Sequence, residues 1–279
     1  ELRHVNTERP PTAEQSYAME LVEQELSLIV DDDQLARGGL RVYTTLDPKL
    51  QETAQKTLDE VLTKVEHQPH FSHPPRSAYE PKPGGAIPYL QGAVMVIDNA
   101  SGGVRAVVGG RNYAQSRYNR AYLASRQVGS TFKPFVYAAA YAEGSVPPRT
   151  GISDGPIRRG EIRGASNWRP GNSDGTFQGG LPAEDGLIRS RNTMSVRVGN
   201  RAGLENVRRL AAAVGLGDLP DLPAIYLGSF EATLKNMTAA YTVFPNLGIR
   251  RQPFVIDRVV NAEGRTVYRS ARIETRGLS

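Results

Sequence analysis

The chain contains no cysteine, which excludes disulfides, zinc–thiolate centres and thiol nucleophiles. No stretch reaches ~18 consecutive apolar residues, so no segment reads as a transmembrane helix. The opening residues, Glu1 to Pro11, are polar, and no signal peptide is read there. Runs of like charge are missing too. The 28 Arg and 6 Lys are scattered among 29 acidic residues. The net charge of +5 therefore reads as a solvated basic surface, and nucleic acid is not an expected partner.

What is present is a chain of 279 residues, 39 % apolar. That length fits two domains or one large one, with a sizeable core. Collagen, low complexity and whole-chain disorder do not fit. Thr12 to Val30 carries apolar residues at three- and four-residue steps and reads as an amphipathic helix, ended by the acids at 31–33 and by Gly38-Gly39. Leu40 to Leu46 alternates and reads as a strand. Asp47-Pro48 combines an N-cap acceptor with proline at the first helical position, which predicts a helix to about Val65. Residues 67–89 hold six prolines and form a loop or linker. His67, His70 and His73 lie in it, but prolines 69, 74 and 75 prevent a helix that would align them, so no metal is expected.

Ala93 to Asp98 and Val104 to Val108 flank a turn and read as a β-hairpin. Residues 111–129 read as irregular. An apolar helix, buried on most sides, is predicted from Ser130 to Glu143, and further helices at about 183–189, 193–202, 204–214 and 231–245. Gln252 to Tyr268 reads as two strands around Ala262-Glu263-Gly264. Strands and helices are segregated, which argues for an α+β architecture rather than βαβ units.

Two short motifs could carry chemistry. In Gly129-Ser130-Thr131-Phe132-Lys133-Pro134-Phe135, a helix opening at Ser130 would put Lys133 one turn on, on the same face. The amine could take the hydroxyl proton, helped by burial against Phe132 and Phe135. The helix N-terminus could supply part of an oxyanion hole. Equally, the serine could be an N-cap and the lysine a surface residue. In Ser190-Arg191-Asn192 the serine could relay a proton, and the asparagine could bind a peptide carbonyl or orient the lysine. A capping serine and a turn asparagine are the plainer alternative.

The flanks of both motifs resemble the transpeptidase region of class A penicillin-binding proteins, the bifunctional peptidoglycan synthases. Arg126 through Phe135 is similar to their nucleophile segment. The hairpin from Gln91 to Gly110, Gly38 through Asp47, Asn167-Trp168-Arg169-Pro170-Gly171-Asn172 and Tyr226 through Glu231 match further landmarks in order. The resemblance covers about 38–270, interrupted at 67–89. It implies the penicillin-binding transpeptidase or serine β-lactamase-like fold: an antiparallel sheet flanked by helices, plus a helical subdomain. It further implies Ser130 as acylated nucleophile, Lys133 as general base, Ser190 as proton shuttle, Asn192 as binder of the substrate amide and Trp168 as a cleft residue. Residues 1–90 would form a linker or pedestal and 91–279 the N-terminal portion of the transpeptidase domain.

The family's third motif, Lys-Thr/Ser-Gly, is not found; Arg149-Thr150-Gly151 is a near match in the wrong place, between the first two. The domain is therefore expected to be incomplete at its C-terminus, with a second polypeptide as one source of the missing strands. The expected reaction is D,D-transpeptidation of peptidoglycan stem peptides through an acyl-serine, with β-lactams as inhibitors and no cofactor. The expected location is periplasmic, with membrane attachment only through an N-terminal anchor that precedes Glu1. The alternatives are a serine β-lactamase or D,D-carboxypeptidase, or a non-catalytic scaffold fragment.

Overall fold

The computed structural model describes residues 15–81 and 87–278. Positions 12–14 of the first expected helix thus lie outside the described residues. The chain forms two compact units that interleave along the sequence. One gathers the described residues up to Val96 with 103–120 and 254–270; the other holds 97–102, 121–253 and the stretch from Ala271 onward.

In the first unit, α1 (Tyr17–Ile29) is capped by Ser16, whose hydroxyl accepts from the Met19 N–H. It buries Tyr17, Ala18, Leu21 and Val22. The acidic run beyond it does more than end a helix. Asp31 opens a second one, α2 (Asp32–Arg37), with a reciprocal capping box between Asp31 and Gln34. After strand β1 (Arg41–Thr44), helix α3 (Pro48–Glu66) starts where the sequence places it. The Asp47 carboxylate accepts from the Lys49 and Leu50 N–H groups at 2.9 and 3.1 Å. Asp47→Ala should lower stability by about 1 kcal/mol, read by urea unfolding. No change would mean that the cap bonds contribute nothing net.

Ala54 and Leu58 of α3 pack on β3 (Val104–Val108), the partner of β2 (Val94–Ile97). The two strands past Phe254, β9 (Ile256–Val260) and β10 (Thr266–Arg269), form the expected antiparallel pair. β1 joins their other edge, with Arg41 opposite Val260, giving the order β1-β9-β10.

The second unit is built around α5 (Lys133–Ala142), which buries Lys133, Phe135, Val136, Tyr137, Ala139 and Ala140. Helices α6 (Ala183–Ile188), α7 (Asn192–Ala202) and α8 (Leu204–Ala213) surround it. Residues 111–129 are less irregular than the sequence suggests. They include a one-turn helix, α4 (Arg120–Leu123), and a short strand, β4 (Ser125–Gln127). The helix expected from 231 begins only at Leu234, as α9 (Leu234–Tyr241), because Glu231–Thr233 forms β7 and pairs with β4. Two further antiparallel pairs complete the unit. They are β5 (Gly151–Ser153) with β6 (Gly180–Pro182), and β8 (Ile249–Arg251) with β11 (Glu274–Arg276).

Candidate active site

The β4–β7 ladder delivers the chain to Ser130. Past Gln127, the Val128 N–H donates to Phe230 O and the Gly129 N–H to Gly228 O, both at 3.0 Å. Residues Gly129–Phe132 then wind as a 3₁₀ turn before α5 begins at Lys133. The sequence reading expected an α-helix from Ser130, and Pro134 explains the difference. It has no N–H to give the Ser130 carbonyl, so the Lys133 N–H takes that acceptor three residues on. In a regular 3₁₀ turn side chains at i and i+3 eclipse, and Lys133 follows directly on this one.

Burial separates the two residues. Ser130 is exposed, whereas Lys133 is 1 % exposed. The rings of Phe132 and Phe135, both fully buried, stack at 5.6 Å, and Phe230 meets Phe132 edge-on at 4.8 Å. The expectation of a lysine buried beside these rings holds, and the surface-lysine alternative fails.

The lysine ammonium reaches the second motif with all three of its protons. Lys133 Nζ donates to Ser190 O at 2.7 Å, to Ser190 Oγ at 3.0 Å and to Asn192 Oδ1 at 2.7 Å. All five residues singled out in the sequence thus belong to one unit, and three are directly bonded. Beyond the Lys133 N–H bond to the Ser130 carbonyl, no hydrogen bond is seen between their two side chains. Burial first, and the positive charge of Arg191 second, bring the Lys133 pKa down to about 8. A neutral amine keeps two donors and gains a lone pair. The Ser190 hydroxyl can donate to that lone pair as readily as it accepts from the ammonium. The Lys133–Ser190 contact can therefore carry a proton in either direction.

The turn bearing Ser190 is strained. Its φ is +54°, a region that residues with a Cβ seldom occupy. Helix α7 starts directly after it and has no cap from its own Arg191. Asn172 supplies one from a distant loop: its Oδ1 accepts from the Asn192 and Thr193 N–H groups at 2.8 and 3.2 Å. The Asn192 amide also donates from Nδ2 to Gly171 O at 3.0 Å. Beneath the turn lies Asp154, fully buried and paired with Arg191. Burial alone would raise its pKa; hydrogen bonds from Arg191, Thr193, the Gln178 N–H and Asn172 hold it below the usual carboxylate range.

Sequence reasoning gave Asp154 and Asn172 no role. Asn172 stands inside a landmark, Asn167 to Asn172, that flagged the loop but not the cap. Asp154, between Ser153 and Gly155, reads only as a turn residue. Trp168 is half-buried against the core of this unit, and among the described residues no hydrogen bond or ring contact ties it to the other four. The near match Arg149-Thr150-Gly151 leads into β5, where the Thr150 carbonyl accepts from the Ala183 N–H.

Comparison with known proteins is consistent with this geometry. Residues 92–276 match the penicillin-binding protein transpeptidase domain. Penicillin-binding protein 1A of Rickettsia conorii is 37 % identical over 184 residues, covering 66 % of this chain and 23 % of that protein. Penicillin-binding protein 1A of Pseudomonas aeruginosa is 36 % identical over 186 residues, 22 % of its length. The chain thus spans under a quarter of the length of these curated relatives. Among solved structures, penicillin-binding protein 1A from Haemophilus influenzae superposes with a TM-score of 0.76 at 22 % identity, covering 93 % of this chain and 50 % of that one. At that identity the likeness shows the fold.

Proposed function

The chain belongs to the penicillin-binding protein transpeptidase family, and from that membership we propose that its second unit forms an acyl-serine as the D,D-transpeptidase of a peptidoglycan synthase. The observation that carries this reading is the buried Lys133 ammonium bonded to both Ser190 and Asn192, one 3₁₀ turn from an exposed serine.

The roles follow from the chemistry each group can supply. Ser130 Oγ attacks the carbonyl carbon of the penultimate D-Ala of a stem peptide. Its proton passes to neutral Lys133 Nζ. The tetrahedral adduct collapses, the C–N bond breaks, and the leaving D-Ala nitrogen takes a proton from Lys133 by way of Ser190 Oγ. The amine of a neighbouring strand then attacks the ester, loses a proton along the same path, and releases Ser130. Asn192 binds the peptide amide with its second Nδ2 proton while its oxygen orients the lysine. Trp168 is assigned to the cleft wall on resemblance alone. β-Lactams acylate Ser130 in the same way; one fold relative, the PonA1 protein of Mycobacterium tuberculosis (TM-score 0.72, 24 % identity), was solved in complex with penicillin V.

On this reading the protein works outside the cytoplasm, in the periplasm, with residues 1–90 as the segment leading into the transpeptidase domain. No helix among the described residues is long and apolar enough to cross a membrane. Of the acids between the two serine motifs that could activate water for hydrolysis, Glu161 is held by Arg197 at 2.6 Å and by the Arg158 N–H at 2.8 Å.

The test is labelling of the natural full-length protein with a fluorescent penicillin, followed by peptide mass mapping. A long-lived adduct on the peptide bearing Ser130 is expected. An unlabelled, folded protein would refute the enzymatic reading in favour of a scaffold, and rapid release of hydrolysed penicillin would indicate a β-lactamase.

A further inference from the structure

Asp154 is a fully buried carboxylate that the reaction itself does not use. Every side chain bonded to it flanks the Ser190–Asn192 turn or braces it. Oδ2 accepts from Arg191, at 2.9 Å from Nε and 2.8 Å from a terminal nitrogen, and from the Gln178 N–H at 2.9 Å. Oδ1 accepts from Thr193 Oγ1 at 2.7 Å and from Asn172 Nδ2 at 2.9 Å. Arg191 sits between Ser190 and Asn192, and Thr193 follows them. Asn172 returns from Asp154 to the turn by capping the Asn192 and Thr193 N–H groups. Arg191, Thr193 and Asn172 are themselves 5 %, 0 % and 8 % exposed, so water does not compete for these bonds.

The turn needs such bracing. Ser190 is held at positive φ, and a residue with a Cβ stays there only when its surroundings over-determine it. Two of the three acceptors of the Lys133 ammonium, Ser190 O and Ser190 Oγ, belong to that residue, and the third is Asn192 Oδ1. If the turn relaxed to an ordinary conformation, these acceptors would leave the lysine together.

We infer that Asp154 is a positioning residue for acyl transfer: through Arg191, Thr193 and Asn172, its buried carboxylate clamps the Ser190–Asn192 turn onto the Lys133 amine. The inference rests on Ser130 and Lys133 being nucleophile and base. It goes further by locating the device that sets their partners in a part of the fold remote in sequence from both motifs. Asp154 touches no substrate; it acts only through the turn.

The experiment is penicillin acylation of the natural full-length protein, resolved into the noncovalent dissociation constant K′ and the acylation rate constant k2. Both are expressed per titrated active site. Asp154→Asn keeps the shape, removes the charge and puts an N–H₂ group against donors. It should lower k2 by ~10²-fold with a much smaller change in K′, the usual consequence of misplacing a catalytic group by about 1 Å. A carboxylate that merely stabilised the fold would reduce the number of active sites and leave k2 per site unchanged. Such a result would overturn the inference.

Should Asp154→Asn fail to fold, Thr193 decides. Thr193→Val removes the hydroxyl bond to Asp154 and should lower k2 by ~10-fold, while Thr193→Ser, which keeps the hydroxyl, restores it. Equal k2 in both Thr193 variants would overturn the inference as surely. Failure of the unaltered protein to acylate at Ser130 would be a different outcome, fatal to the proposed function itself.

Discussion

Replacing Lys133 with alanine should slow acylation by penicillin at least ~10³-fold while leaving a folded protein, as expected for loss of a well-placed general base. Lys133→Arg should be nearly as slow. A guanidinium does not give up its proton at any working pH. The two variants separate the need for a base from the need for a positive charge: if arginine restored the rate, Lys133 would act through its charge. The pH profile offers an independent check. With its pKa brought down to about 8, roughly one Lys133 in eleven is neutral at pH 7. At an ordinary lysine pKa the share would be about one in three thousand. The sign follows directly: the rate should climb as pH rises towards about 8 and level off above it, since the unprotonated amine is the active form. A rate that fell over that range would assign the work to the ammonium.

How much of this site could be read from the sequence depends on how far apart its partners lie along the chain. Ser130 and Lys133 are three residues apart, so any helical turn aligns them, and the spacing alone raised the pair. Burial of Lys133 was legible from Phe132 and Phe135 on either side of it. The bond from Lys133 to Ser190 spans 57 residues, and no local pattern encodes it; only the order of landmarks along the chain pointed there. Asp154 was invisible for the same reason. Its contacts run to residues 172, 178, 191 and 193, and a lone Ser-Asp-Gly reads as a turn.

The secondary structure divides in the same way. Asp47-Pro48 fixed the start of α3 because cap and helix are neighbours. β4 and β7 are three residues each, with side chains that favour no particular state, and they exist because they pair with one another across more than a hundred positions. α2 differs in kind: its capping box is local, and acids such as those at 31–33 that stop one helix can equally start the next. Pro134 likewise carried enough information to expect a 3₁₀ turn at Ser130.

Gly228 joins fold and chemistry most tightly, and Gly228→Ala should damage both. Its φ of +72° already disfavours any side chain. A Cβ there would also be driven into the carbonyl oxygen of Gly129, with the Gly129 nitrogen only 2.6 Å away. The obstacle is backbone, which cannot swing aside as a flexible side chain could. Yet Gly228 O must remain on the Gly129 N–H, the last bond of the ladder before the nucleophile. The left-handed strain and the overlap together should cost about 2–4 kcal/mol in urea unfolding. Relief of the overlap must move Gly129, and Ser130 with it, so acylation should fall by ~10²-fold. Gly217→Ala separates the two causes. Gly217 has a φ of +83°, but a Cβ there meets nothing within 4 Å. That variant should lose only about 1–2 kcal/mol and keep its acylation rate. If Gly228→Ala lost no more stability than Gly217→Ala and acylated normally, the close approach of Gly228 to Gly129 would have no part in holding the nucleophile.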